Sequence, residues 1–217
     1  MLKTRNVRWL KISGFCGVLT PVVAFTCISL SIASAPEFSW VDNALSDLGV
    51  MHGFTAAVFN YGLIVSGILG SIFATNLVRL LRFDVFSHDA RLLYPDNRGL
   101  GGVLIFSLAC LALVAIGVFP ENVKYLHFFA SVAFFVLLIV ALLRFGIAFL
   151  QVRRKPWAVF TLLLGVVAAA PWVLLFVVRY VSGVAVPELI SAVAGGLWAV
   201  VFSYKILRMT SQQPRMA

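Results

Sequence analysis

Residues 99–119 read GLGGVLIFSLACLALVAIGVF, and residues 122–150 read NVKYLHFFASVAFFVLLIVALLRFGIAFL. Only Pro120 and Glu121 stand between them. Each run reaches the roughly 20 apolar residues that a helix needs to cross a bilayer. A proline-led turn between two such runs makes a helical hairpin, and the same pattern recurs on both sides. Further runs cover residues 11–33 and 54–80 before the hairpin, and 157–180 and 186–207 after it. The whole chain, 217 residues, is 62% hydrophobic and 12% charged, with a mean hydropathy of +1.03. A soluble chain carries about 25% charged residues. A transmembrane barrel would show short segments of alternating polarity, and none is present. The expected fold is all-α: a polytopic bundle of six transmembrane helices forming a single domain over residues 1–217.

The first run tests whether the N-terminus is a cleaved leader. Lys3, Arg5, Arg8 and Lys11 resemble the basic start of a signal, and Ala33-Ser34-Ala35 resembles a cleavage site. The apolar stretch from Ile12 to Ile32 exceeds the 7–15 residues of a signal core, so it reads as a retained span. Pro21 and Pro171 are candidates for helix bends. Gly14 and Gly17, then Gly62, Gly67 and Gly70, then Gly195 and Gly196, are small-residue faces where another helix can approach. Cys16, Cys27 and Cys110 lie inside apolar runs without a CxxC pair, which argues against a disulfide framework and against a zinc site.

The net charge of +9 would fit nucleic acid if the cations were clustered with aromatics. Instead they flank the apolar runs. Of the 17 basic residues, all but Lys124 and Arg179 fall in the N-terminal segment, the second and fourth connectors with their flanks, and the C-terminal end. The positive-inside rule then places both termini in the cytoplasm of a protein in the cell membrane, with lipids and no nucleic acid as partners. Trp157, beside Arg153-Arg154-Lys155, reads as an interfacial anchor. The Leu81–Arg98 connector, with Arg82, Asp84, His88, Asp89 and Arg91, reads as solvated, and Asp96 or Asn97 as the N-cap of the third span. The tail from Met209 onward reads as disordered.

Five of the eight acidic residues take the other side: Glu37, Asp42, Asp47, Glu121 and Glu188. The richest polar stretch is Ser39-Trp40-Val41-Asp42-Asn43-Ala44-Leu45-Ser46-Asp47-Leu48-Gly49-Val50-Met51-His52, between the first two spans. Ser39 and Asp42 have capping-box spacing, and Gly49 suits a C-terminal cap. A short amphipathic helix over Trp40–Leu48 is therefore expected, lying at the interface or tucked into the bundle mouth. Asp42 and Ser46, and Asn43 and Asp47, would meet on it at a spacing of four. Asp42, Asn43, Ser46, Asp47, His52, Asn60, Glu121, His127, Arg179 and Glu188 form one candidate ligand-binding cluster at the non-cytoplasmic mouth.

Each candidate has a plain structural reading beside the functional one. Asp47 with His127 could bind a metal or transfer protons, or could cap a helix and hold the first loop to the bundle. Glu121 and Glu188 each follow a proline at a helix start, where an acid favours the positive helix end. The alternative is an ion pair with Arg179. No metal site or cofactor is assigned.

Asp42-Asn43-Ala44-Leu45-Ser46-Asp47-Leu48-Gly49, Phe59-Asn60-Tyr61-Gly62-Leu63, and Gly117-Val118-Phe119-Pro120-Glu121 with His127 resemble the prokaryotic membrane family called domain of unknown function 998. A more distant likeness is to six-span proteins of the Frag1/DRAM/Sfk1 type, some of them tied to lipid handling. The resemblance implies six helices and an outward-facing motif, and it implies no activity. That family often has an arginine after the glutamate opening its last span. Here Leu189 follows Glu188, and Arg179 is the candidate substitute.

The expected function is a membrane component that binds a lipid or small ligand at the polar mouth, or serves as a structural or accessory part of a homo-oligomer or larger complex. The first alternative is a lipid-active hydrolase or transferase using the Asp/His/Glu cluster. HExxH, GxSxG and glycine-rich phosphate loops are all missing. A small transporter ranks last, because Asn60, Ser66 and Ser107 are isolated polar groups rather than a polar path.

Overall fold

The computed structural model describes residues 4–82 and 99–212. Within them lie six long helices: α1 (Thr4–Ala33), α2 (Phe54–Arg82), α3 (Leu100–Val118), α4 (Lys124–Gln151), α5 (Lys155–Val178) and α6 (Ala185–Gln212). All six are long and apolar enough to cross a membrane. No strand occurs among the described residues. The helices match the six apolar runs to within a few residues, except that α1 starts earlier, at Thr4, and α6 continues to Gln212 through part of the expected tail. Gly99, rather than Asp96 or Asn97, takes the N-cap position of α3. Those two residues and the Asp84–Arg91 part of the connector lie outside the described residues.

The helices form an antiparallel ring in chain order, and side-chain hydrogen bonds tie two of the neighbouring pairs. The Ser13 hydroxyl donates to the Phe73 carbonyl (3.1 Å) and that of Ser31 to the Thr55 carbonyl (3.1 Å), joining α1 to α2 at both ends. The Trp172 indole donates to Ser191 (2.9 Å) and that of Trp198 to Thr161 (3.3 Å), joining α5 to α6. The ring closes where α1 lies along α6, and there glycine is required by close approach. A Cβ on Gly14 would meet Leu207 at 2.9 Å, and one on Gly196 would meet Pro21 Cβ at 2.9 Å. Gly67 and Gly70 face Cys110 of α3, and Gly62 faces Cys27 of α1. The small-residue faces are thus consumed inside one chain. Without a hydrophobic drive between helices in lipid, such close van der Waals packing is what holds them together.

Around the bundle axis, the half nearer the termini is filled. Phe73, Phe106, Phe145, Trp198 and Phe202 are all buried there. Trp198 stacks on Phe145 at 4.8 Å, and Phe202 lies 4.6 Å from Trp198. Trp157 meets Phe202 edge-on at 5.6 Å, with the Lys205 ammonium 4.7 Å above its ring. It belongs to this plug rather than standing as a free interfacial anchor. α1 and α5 run unbroken through Pro21 and Pro171.

At the opposite end, three connections meet. One is the 34–53 loop with a 3-10 helix, η1 (Leu45–Gly49); another is the turn η2 (Glu121–Val123); the third is the 179–184 loop. The α-helix expected over Trp40–Leu48 is not formed. Ser39 and Asp42 do pair, at 2.8 Å, but they close a turn, and the helical part is shorter, starting after Ala44. Leu45 and Leu48 are buried, so η1 sits inside the mouth and does not lie flat on its surface.

Candidate functional site

Asp47 organises the mouth from its own loop outward. Its Oδ2 accepts from the Ala44 amide (2.9 Å) and from Asn43 Nδ2 (2.7 Å). Asn43 Oδ1 in turn accepts from the Ser39 amide at 2.8 Å. The Asn43 carbonyl takes the amides of Val184 and Ala185 at 3.1 and 2.9 Å, and the Val41 carbonyl takes that of Gly183 at 2.7 Å. The first loop is therefore stitched to the entry of α6 by backbone bonds. Gly183 passes so close to the Asn43 backbone that a Cβ would overlap it. Asn60 Nδ2 donates to the Gly49 carbonyl at 2.8 Å, fastening η1 to α2. A Cβ on Gly49 would meet Asn60 Oδ1 at 2.6 Å, so this glycine serves a close approach rather than a helix cap.

Three carboxyls converge, from the first loop, the α3–α4 turn and the first turn of α6. Glu188 is buried, and its Oε2 accepts from the Leu45 amide at 2.6 Å, bridging 143 residues of sequence. Glu121 lies beside Asp47, and its Oε2 is buried without a hydrogen-bond partner. Glu188 lies near both Asp47 and Glu121. Of the ten candidate residues, Asp47, Glu121, Glu188 and Asn43 lie together at the mouth, and Asn60 reaches it through Gly49.

Other candidates fall elsewhere. His127 is buried, and both ring nitrogens are engaged: Nδ1 with the Phe119 carbonyl at 2.8 Å and Nε2 with Ser131 Oγ at 3.2 Å. A carbonyl only accepts, so Nδ1 carries a hydrogen and the ring pins the α3–α4 turn to the first turns of α4. It makes no hydrogen bond to Asp47. Asp42 is exposed and hydrogen-bonds Ser182 Oγ (2.6 Å) and Ser39 Oγ (2.8 Å). These bonds, Ser182 first, hold its pKa below the usual carboxylate value. It does not pair with Ser46. His52 is exposed. Arg179 is exposed, caps α5 with a left-handed φ of 49°, and makes no ion pair with Glu188. The backbone amide of Leu45 does what the missing cation was expected to do. Among the described residues, no group of three or more His, Cys, Asp or Glu is arranged to hold a metal.

Below η1 lies what the sequence did not disclose: an apolar cavity of about 110 Å³ on the bundle axis, walled by α1, α2, α3, α4 and α6. Phe25, Leu63, Ala109, Phe134 and Gly195 line it, and Leu45, Ser46 and Glu188 lie at its head. Phe106, Leu138 and Ala199 also border it and belong to the buried core that contains the Trp198 plug. Ser131 also lines it. Its partnership with His127 was signalled by their spacing of four on one helix, a spacing that went unread. The Ser182-Gly183 pair that clamps Asp42 and Asn43 was missed because a bend between spans has no periodic signature. Chemically, the mouth offers acceptors. Three carboxyls would oppose a developing oxyanion rather than stabilise it.

A family model described as "Protein of unknown function (DUF998)" matches residues 18–205. No curated protein and no solved structure matches the chain.

Proposed function

The chain belongs to the DUF998 family of unknown function, and from its geometry we propose that it binds the apolar part of a membrane amphiphile in the axial cavity, with the polar part held under η1. The carrying observation is the cavity itself: an apolar compartment left open beneath a roof fastened by hydrogen bonds. Close packing is the norm for protein interiors. A void of this size forfeits dispersion contacts on every wall, and an apolar guest restores them. For scale, an engineered apolar cavity of about 150 Å³ takes up benzene.

In this reading the protein lies in the cell membrane with both termini in the cytoplasm and the mouth at the outer face. The distribution of basic residues supports that orientation. A role as an accessory subunit is compatible with the same binding. The lipid-active enzyme has less support, because His127 is committed to the Phe119 carbonyl and Ser131.

Native mass spectrometry of protein purified from its own membrane tests the proposal. The expected result is one retained amphiphile per chain, with retention weakened by Asp47→Ala, which loosens the roof. Protein that carries no adduct, with Asp47→Ala altering stability alone, would overturn it.

A further inference from the structure

The chemistry at the head of the cavity narrows the class of ligand. Its polar lining residues are Thr20, Ser46, Ser131 and Glu188, and no lysine or arginine lines it. The Thr20 hydroxyl is spent on the Cys16 carbonyl at 2.8 Å, and that of Ser131 faces His127. Ser46 differs. It is only 8% exposed, it borders the cavity, and its hydroxyl has no hydrogen-bond partner among the described residues. That hydroxyl is accessible and has its donor and acceptor capacity free for a guest. Beside it stands Glu188, with Asp47 and the partnerless Glu121 Oε2 just beyond.

A negatively charged head placed here would meet three carboxyls and no cation. In a low-dielectric setting that juxtaposition is strongly unfavourable. A head that donates hydrogen bonds meets the opposite situation: Ser46 and the carboxyl oxygens all accept. The volume sets the second limit. About 110 Å³ is less than the roughly 150 Å³ that accommodates one benzene ring, so the cavity takes only a short length of one alkyl chain, the rest of a longer chain lies outside it, and a second chain finds no room. The Phe145–Trp198 stack, packed with Phe106 of the cavity wall, limits the depth.

We infer that the occupant is a single-chain amphiphile whose head donates hydrogen bonds and carries no negative charge, as in a long-chain alcohol or amine. This rests on the cavity being a binding site, as proposed above. The test uses the full chain in phosphatidylcholine nanodiscs, with dodecanol, dodecylamine, dodecyl phosphate and dioleoylglycerol as probes and native mass spectrometry as readout. Dodecanol and dodecylamine bind one per chain, and dodecyl phosphate and dioleoylglycerol bind at least tenfold more weakly. The ratio of alcohol to amine tells which donor head is preferred. Ala109→Phe, which fills the wall, abolishes binding of both. The probe series is read on the unaltered chain, so it stands even if that variant fails to fold. Equal binding of dodecyl phosphate overturns the inference about the head, and equal binding of dioleoylglycerol overturns the single chain. Either leaves the cavity a binding site. If no probe binds the unaltered chain, the cavity proposal itself falls.

Discussion

The two halves of the bundle are closed by different physics. Toward the termini, the axis is filled by Trp198, Phe145, Phe73 and Phe106, and the glycines of α1, α2 and α6 let the helices approach until side chains interlock. At the mouth, the axis is left open, and closure is by hydrogen bonds: Glu188 to Leu45, Asp47 to Asn43 and Ala44, Asn60 to Gly49. Packing is non-directional and tolerates small shifts. Hydrogen bonds fix a roof in one place without needing material beneath it. The difference teaches that the mouth is built to hold a lid over space, whereas the other half is built to remove space.

Breaking the packed half should cost most. Trp198→Ala removes the centre of the plug and is expected to lose about 3–5 kcal/mol of stability, read as a lower midpoint in denaturant titration of the micelle-embedded protein. In the mouth, Glu188→Ala leaves the Leu45 amide buried and unpaired, for about 1–3 kcal/mol. Glu188→Gln retains an acceptor and should lose less. If Glu188→Ala equalled Trp198→Ala, the mouth would be contributing to stability as a core does, and the contrast would fail. His127→Ala removes two bonds at the α3–α4 turn and should cost about 1–2 kcal/mol. Backbone amide exchange in residues 117–124 should rise while the plug stays protected.

The smallest effect concerns Asp42. Its folded pKa is lowered by Ser182 and Ser39. The stabilisation is therefore complete above the ordinary carboxylate range near 3.9 and is lost as pH falls through the lower folded value. Ser182→Ala should weaken this acid-side dependence in thermal melts measured across that range, and should leave melts near pH 7 almost unmoved. A large change at neutral pH would show that Ser182 acts through its bond to the Val41 carbonyl instead.

The helices were legible because lipid imposes a length and an apolar composition on each span, and those survive in a linear reading. Asp47, Glu121 and Glu188 could be gathered at one end because topology alone puts their loops there. What escaped the sequence was local geometry. The 39–49 stretch has helical spacing, but Asn43 turns its carbonyl to α6 and its side chain back to Ser39 and forward to Asp47, so only a 3-10 turn remains. The expected Arg179 partner for Glu188 was replaced by a backbone amide, which no side-chain pattern reports. The cavity was invisible because it depends on which side chains stop short of the axis, and hydropathy does not record that.

The most direct test is an experimental structure of the full chain in lipid, examined for density under η1. The account predicts one elongated, unbranched density between Ala109, Phe134 and Gly195, ending at Ser46 and Glu188. A mouth in which Phe106 and Phe134 have swung inward to fill the axis, with no room beneath Ser46, would contradict it.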